Sequence, residues 1–417
     1  MAWVTLVLLF VLYMINYADK AIAGYSAVQI MQELQLSATQ WGVVGSSFFW
    51  LFSIAGVLGA ALSDKIGTKK MLAIMALSWT IVQFGAYAIA SLPMLMGARI
   101  LLGIGEGPFW ATVVSHLSKW FPEERRGLVF STVNFGAFVG AVAFAPLLVG
   151  IIESSGWRHS WAMLGAASLA WFLVWMWIGK EKPHAKAIAP EELIAKEPIQ
   201  WKKLFAILFS TSFIFTFLIY FAQIWGTTFA AVWEPVYLVK VLGFTPKQMS
   251  YAIAGTGLLA GLMTIAISWY ADTLYKKNRS YRKSYVTVGG ISIILGGVFF
   301  YAMSVTHQAI WVLIAACLAK GFSFSVGTSA SVIATSLMPE RKGLIMGVLS
   351  GFVTIAGIIS PIVTGAIVQA AGNDISRGFG NALIANGLLF VVFGILFLLY
   401  VKRNETGQRV QEEKASA

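Results

Sequence analysis

Six ionisable residues stand where the surrounding sequence is apolar: Asp19, Lys20, Arg99, Glu106, Glu234 and Lys320. Acids in such places can take up and release protons, and bases can hold an anion. On insertion scales a charge at the middle of a lipid-facing helix costs about 3 kcal/mol, so six would cost roughly 18 kcal/mol. That exceeds the stability of a typical domain. These groups must face protein or water, and pair where they can. Asp19 and Lys20 are neighbours in "MINYADKAIAG" and are the only charges in residues 1–32. In "MGARILLGIGEGPFW", Arg99 and Glu106 lie seven residues apart. Seven residues is nearly two turns, so both project from one helix face, about 10 Å apart along the axis. A direct bond is out of reach, and Asp19 or a bound carboxylate would fit as a third partner. Gly103, Gly105, Gly107 and Pro108 are expected to thin and bend this helix beside Glu106. A fixed network that only sets helix packing is the plainer alternative.

The elements that carry these residues follow from composition. Of 417 residues, 58% are hydrophobic and only 12% charged, against about 25% charged in soluble domains; mean hydropathy is +0.76. The apolar residues come in blocks of about 20, the length of helix that crosses a hydrocarbon core of about 30 Å. Twelve blocks are legible, near 3–31, 41–62, 71–92, 94–118, 127–152, 160–179, 208–239, 248–271, 284–304, 308–336, 343–370 and 380–401. The chain therefore reads as an all-α membrane protein. The stretch from Trp201 to Lys240 is too long for one span and implies an interfacial helix near 204–209 or a break at Gly226. The first block lacks a basic leader and runs past Asp19, so a cleaved signal peptide is not expected.

A net charge of +12 invites a nucleic-acid reading, but its distribution excludes one. Of 30 Lys and Arg, 23 fall in alternate loops and the C-terminal tail, while the opposite loops hold four, Arg158, Lys240, Lys247 and Arg377. Such a bias places the rich side, with both termini, in the cytoplasm. The expected location is a plasma (inner) membrane. Cys317 is the single cysteine, which excludes an internal disulfide, and four scattered histidines give no metal-ligand pattern. No cofactor is expected, and no Ser/His/Asp or phosphate-cradling arrangement suggests an enzyme.

The polar stretch 180–203 divides the chain into two halves that resemble each other. "SDKIGTKK" (63–70) is echoed by "ADTLYKKNR" (271–279), and "FPEERRGL" (121–128) by "MPERKGL" (338–344). Parallel repeats of this kind place a binding site near the bilayer midplane, between the halves. The expected organisation is an N-terminal six-helix bundle (1–179), a cytoplasmic loop (180–203), a C-terminal bundle (204–402) and a tail (403–417). In the loop motif, Asp64 sits at a helix end, where it can meet helix N-termini and cations. Gly67 permits the turn, and Lys65, Lys69 and Lys70 hold the loop in the cytoplasm, with Asp272 as the counterpart of Asp64.

The pattern D-K-x-G-x-K-K between helices two and three resembles the loop signature of the major facilitator superfamily. Helix count, central loop and repeat extend the resemblance over the whole chain, although Ala60 stands where a glycine is common. It implies two pseudo-symmetric six-helix bundles and alternating access. "NYADKA" with "GARILLGIGEGP" and "KWFPEERRG" further resembles the anion:cation symporters of that superfamily. By that resemblance Tyr17, Lys20, Arg99 and neighbouring aromatic groups hold an organic anion, while Asp19 and Glu106 exchange protons. Lys20 replaces the usual arginine, giving a point charge in place of a planar fork. Ala137 and Ser350 stand where sugar-acid carriers have amides, and Phe52 where a tyrosine is common. The expected substrate is a small carboxylate with fewer hydroxyls than a sugar acid, and Asn134 is placed to compensate in part. Trp110 and Trp233 are expected near the site. Glu234, in "AAVWEPVYL", is either a third proton-coupling group or a solvated residue at the outer mouth. Lys320 either attracts anions or packs its helix.

The resemblance implies a proton-coupled importer acting as a monomer on small anions and protons in a lipid bilayer. Two other transport modes fit fewer residues. An anion exchanger needs the bases but no titrating acid, and an exporter of amphipathic compounds would be opposed by two cavity-facing bases.

Overall fold

The computed structural model describes residues 1–181, 201–306 and 308–401. Most of the expected central loop and the whole of the tail lie outside these. Regular structure among the described residues is helical throughout. The principal helices are α1 (Ala2–Tyr25), α2 (Ala38–Ile66), α3 (Thr68–Ala88), α4 in two pieces (Leu92–Glu106 and Phe109–Trp120), α5 (Arg125–Ser155) and α6 (Trp157–Ile178). They continue with α7 (Thr211–Val232), α8 (Pro246–Asn278), α9 (Arg282–Val305), α10 (Ala309–Leu337), α11 (Lys342–Ala370) and α12 (Ile375–Tyr400). Eleven are long and apolar enough to cross a membrane unaided. The remaining block is α4, interrupted at Gly107–Pro108 where the sequence predicts a bend.

Each irregularity has a residue behind it. Ser37 starts α2 with a reciprocal cap: its Oγ accepts from Gln40 N–H at 3.2 Å, and its own N–H donates to Gln40 Oε1 at 2.9 Å. Gly67 joins α2 to α3 at a φ of +91°, a left-handed conformation that a side chain would strain. Pro108 has no N–H to continue the first piece of α4, and Gly107 packs against α2. A Cβ on Gly107 would stand 2.8 Å from the Gly56 nitrogen. In α5 a π turn at Val139–Ala143 comes just before Pro146.

The seventh block corrects one expectation and bears out another. A separate short helix, Trp201–Leu208, precedes α7. The break lies at Trp233, not Gly226, and a second short helix, Glu234–Lys240, begins there with Pro235 in its first turn. Gly226 stays helical because its work is packing: a Cβ there would meet the Phe390 ring of α12 at 2.8 Å.

The chain forms two compact units. One comprises the described residues of Met1–Lys196 with Thr227–Leu258 and Thr354–Ala382. Its core holds the fully buried Trp41, Trp79, Trp161 and Trp175. The other comprises the described residues of Glu197–Gly226, Leu259–Val353 and Leu383–Ala417. There α9 and α12 approach closely, with a Cβ on Gly297 only 2.6 Å from the Gly387 carbonyl oxygen. Trp225 Nε1 donates to Asn386 Oδ1 at 2.7 Å across α7 and α12.

Candidate functional site

The first unit brings α1, α2, α3 and α4 together around the charges that open the sequence. Glycines make this possible. Gly103 of α4 lies against the Phe48 carbonyl of α2, and a Cβ on Gly105 would stand 2.6 Å from Ser78 Oγ of α3. Small residues at such crossings let backbones approach and carry side chains into reach. Lys20 Nζ lies 3.2 Å from Glu106 Oε2, with the lysine side chain 26% exposed and the glutamate side chain 0%. The ion pair leaves the buried Glu106 carboxylate with a single cation beside it. Lys20 also donates to Asn16 Oδ1 one turn earlier, at 2.8 Å. Its ammonium sits 4.4 Å from the Tyr17 ring centre and 5.7 Å from that of Phe52, within cation–π range.

The other two charges are arranged differently from the expected pairing. Arg99 pairs with neither acid among the described residues. Its guanidinium lies 4.9 Å from the Phe48 ring centre, and its buried Nε and Nη1 have no acceptor. The 10 Å separation along α4 keeps it from Glu106, which Lys20 reaches instead. Asp19 points away from Lys20 along α1, since consecutive residues face different sides of a helix. It accepts a 2.6 Å hydrogen bond from Gln83 Nε2 of α3. Asp19 is fully buried, and its Oδ2 has no donor.

An aromatic wall borders the cluster. Tyr13 stacks on Phe109 and Trp110, with centres 5.3 and 5.6 Å apart, and meets Tyr17 edge-on at 5.0 Å. The Tyr13 hydroxyl lies 3.4 Å from Asn134 Oδ1 of α5, so Asn134 and Trp110 adjoin this group. Trp233 does not. It is fully buried elsewhere in the unit, donating to the Pro361 carbonyl at 3.1 Å and touching Phe379 edge-on. With Gln32, Gln369 and Lys240 it lines a cavity of about 500 Å³. Glu234 follows it and is buried, not solvated. Ser350, exposed on α11, and Lys320, buried on α10, belong to the second unit.

The loop motif is organised by a residue that pattern reading missed. Asp64 and Asp272 are both exposed. Asp64 makes no hydrogen bond or ion pair among the described residues, whereas Asp272 accepts from the Tyr285 hydroxyl at 2.8 Å. The N-terminus of α3 is served by Glu181, beyond α6. Its carboxylate accepts from Lys69 N–H at 2.5 Å, Thr68 Oγ1 at 2.9 Å and Lys119 Nζ of α4 at 2.6 Å. Burial works against the Glu181 charge, but these three donors outweigh it and hold the carboxyl below its ordinary range. Asn16 and Gln83 were also missed. Gln83 had a signal, as a lone amide in the apolar run "MLAIMALSWTIVQF".

Comparisons with known proteins agree with this architecture. The family model described as Major Facilitator Superfamily matches residues 9–341 and 282–417. A probable sulfoacetate transporter of Cupriavidus necator is 27% identical, over 92% of this chain and 91% of that protein. A hexuronate transporter of Bacillus subtilis is 29% identical, over 94% and 93%. A D-galactonate transporter of Escherichia coli is 25% identical, over 96% and 95%. Among solved structures, a bacterial homologue of the human lysosomal transporter Spinster aligns with a TM-score of 0.79 at 16% identity, over 96% of this chain and 97% of that one. A D-xylose–proton symporter aligns with 0.77 at 16% identity, over 95% and 97%; likenesses this remote show the fold. The chain belongs to the major facilitator superfamily and is a multi-pass membrane transport protein.

Proposed function

We propose that this protein imports a small organic anion together with protons, by alternating access of two six-helix halves, residues 1–179 and 204–402. The observation that carries this reading is the Lys20–Glu106 pair, in which a partly exposed cation holds a fully buried acid. An incoming carboxylate or sulfonate can compete for the exposed side of Lys20. Glu106 is then left buried with no cation, and a proton is the simplest group to neutralise it. Arg99, with N–H groups that have no acceptor, is a second cation for the anion. Asp19 has no cation within ion-pair distance among the described residues, which favours proton coupling over simple anion exchange. The neutralised site can then rock, since carrying an uncompensated charge through a dry barrier is prohibitive.

The names of the relatives, which carry sulfoacetate, hexuronate and galactonate, support an anionic substrate. Ala137 and Ser350, in place of hydroxyl-reading amides, support one with few hydroxyls. The 23 basic residues in alternate loops and the tail support a plasma membrane with both termini in the cytoplasm. The protein is taken to act as a monomer.

Competition in proteoliposomes tests the substrate class, with sulfoacetate, benzoate, glucuronate, galactonate and a cationic amphiphile as probes. The expected result is uptake of sulfoacetate or benzoate ahead of the sugar acids, and no effect of the amphiphile. Transport of the amphiphile, with all acids ignored, would instead make the protein an exporter.

A further inference from the structure

Gln83 is the buried polar side chain of α3 whose contact the reading above does not use. It is 0% exposed and donates through Nε2 to Asp19 Oδ1. Its stem is held in place by α6, where Gly165 leaves room: a Cβ on Gly165 would stand 3.1 Å from the Gln83 Cβ. One turn earlier on the same helix, the fully buried Trp79 packs edge-on against Phe109 of α4. Two further oxygens at this contact are buried and have no donor, Asp19 Oδ2 and Gln83 Oε1. An unpartnered buried acceptor is costly, and here two occur in one acid–amide pair.

A primary amide carries a donor and an acceptor side by side. It can therefore serve both states of a carboxyl group, giving N–H to the carboxylate and accepting O–H from the acid. A single proton on Asp19 Oδ2, donated to Gln83 Oε1, would satisfy both orphaned oxygens at once. We propose that Gln83 is the positioning residue for the coupling proton, forming with Asp19 an acid–amide receptor that holds the carboxyl in either protonation state. This rests on the reading of Asp19 as a proton carrier. It also explains the lone amide on α3, which presents no charge between Lys70 and the end of the helix.

The charged groups nearest Asp19 are Lys20 on its own helix and Arg99 and Glu106 on α4. Helices α2, α5 and α6 carry charge only near their ends, at Asp64, Lys65, Arg125, Arg126, Glu153 and Arg158, with His159 beside the last. Beyond α1, Glu234 begins the next packed helix. The neighbours on α4 and α1 are the same in wild type and in a Gln83 variant, so a shift on changing Gln83 reports the amide itself.

Infrared difference spectra of the purified protein in lipid, recorded as the pH is stepped, test this without a substrate. A carboxylic-acid carbonyl band that disappears in Asp19→Asn is assigned to Asp19. In Gln83→Met, which keeps the volume and removes both polar groups, the ionised carboxylate loses its donor. The band is expected to persist to higher pH, its midpoint moving by about one unit or more, a tenfold change in proton concentration. Its frequency is expected to rise as the hydrogen bond is lost. Gln83→Glu restores a donor and an acceptor when protonated, and is expected to bring the frequency back at low pH. An Asp19 band with unchanged midpoint and frequency in Gln83→Met would overturn the role given to Gln83. If Gln83→Met does not insert, absence of any coupled carbonyl signal in Gln83→Glu would do the same. If no band is lost in Asp19→Asn, the failure lies with Asp19 as the proton carrier.

Discussion

At the scale of single residues, the site rests on an uneven division of two bases and two acids. Lys20 has one acidic partner and two aromatic faces, whereas Arg99 has an aromatic face and no acid. Lysine offers a compact charge that an anion can share with Glu106, while arginine prefers planar, two-point contacts. Replacing Lys20 by Met leaves Glu106 buried without its cation, a loss of about 2–5 kcal/mol for a close pair. Uptake is expected to fall below detection in Lys20→Met and to return in part in Lys20→Arg, as measured by initial rates in proteoliposomes. Much of this was readable in advance. Asp19, Lys20, Arg99 and Glu106 declare themselves because a charge in an apolar run must be explained. Which acid meets which base was not readable, because that depends on how α1 and α4 are rotated. The partnership of Asp19 with Gln83 needed α3 in place.

At the scale of elements, glycine and proline set the geometry. The Gly107–Pro108 break in α4 and the tight turn at Gly67 were legible because those residues have few other reasons to stand there. The break at Trp233 was less so, since Gly226 offered a competing signal and only packing against Phe390 resolves it. The cap on α3 was not legible at all: Glu181 lies 113 residues from Thr68 in sequence, and no local pattern joins them. That carboxyl ties α3 to α4 and the end of α6. Because the folded state holds it below its ordinary range, its contribution is present above the unfolded value and disappears as pH falls through the folded one. Glu181→Gln is therefore expected to lower the melting temperature at neutral pH. The effect is on the order of 1 kcal/mol once solvent screening of this partly exposed group is allowed for. The difference from wild type should shrink as pH falls below the ordinary carboxylate range and vanish once the folded carboxyl is itself protonated. A mutant equal to wild type at neutral pH would remove the cap from the account.

At the scale of the whole molecule, hydropathy blocks and charge bias were enough to reach a multi-span helical membrane protein, because spanning a bilayer leaves few architectures open; the superfamily came from the likeness of the 63–70 loop to its signature. The division of labour within the site needed coordinates. If protons drive the anion inward through Asp19 and Glu106, as proposed, uptake must run uphill on a proton gradient. The most direct measurement is accumulation of labelled sulfoacetate, or of whichever acid competes best, in proteoliposomes under an imposed inward proton gradient. Wild type and Asp19→Asn would be compared, with exchange against internal anion measured in the same vesicles. Each pH unit is worth about 1.4 kcal/mol per proton, so one unit can support about tenfold accumulation for each proton carried. Uphill accumulation is expected in wild type and should collapse without the gradient, while Asp19→Asn should exchange anion but fail to accumulate it. Accumulation that is indifferent to the gradient and needs only internal anion would contradict proton coupling, and would make Asp19 a structural partner of Gln83.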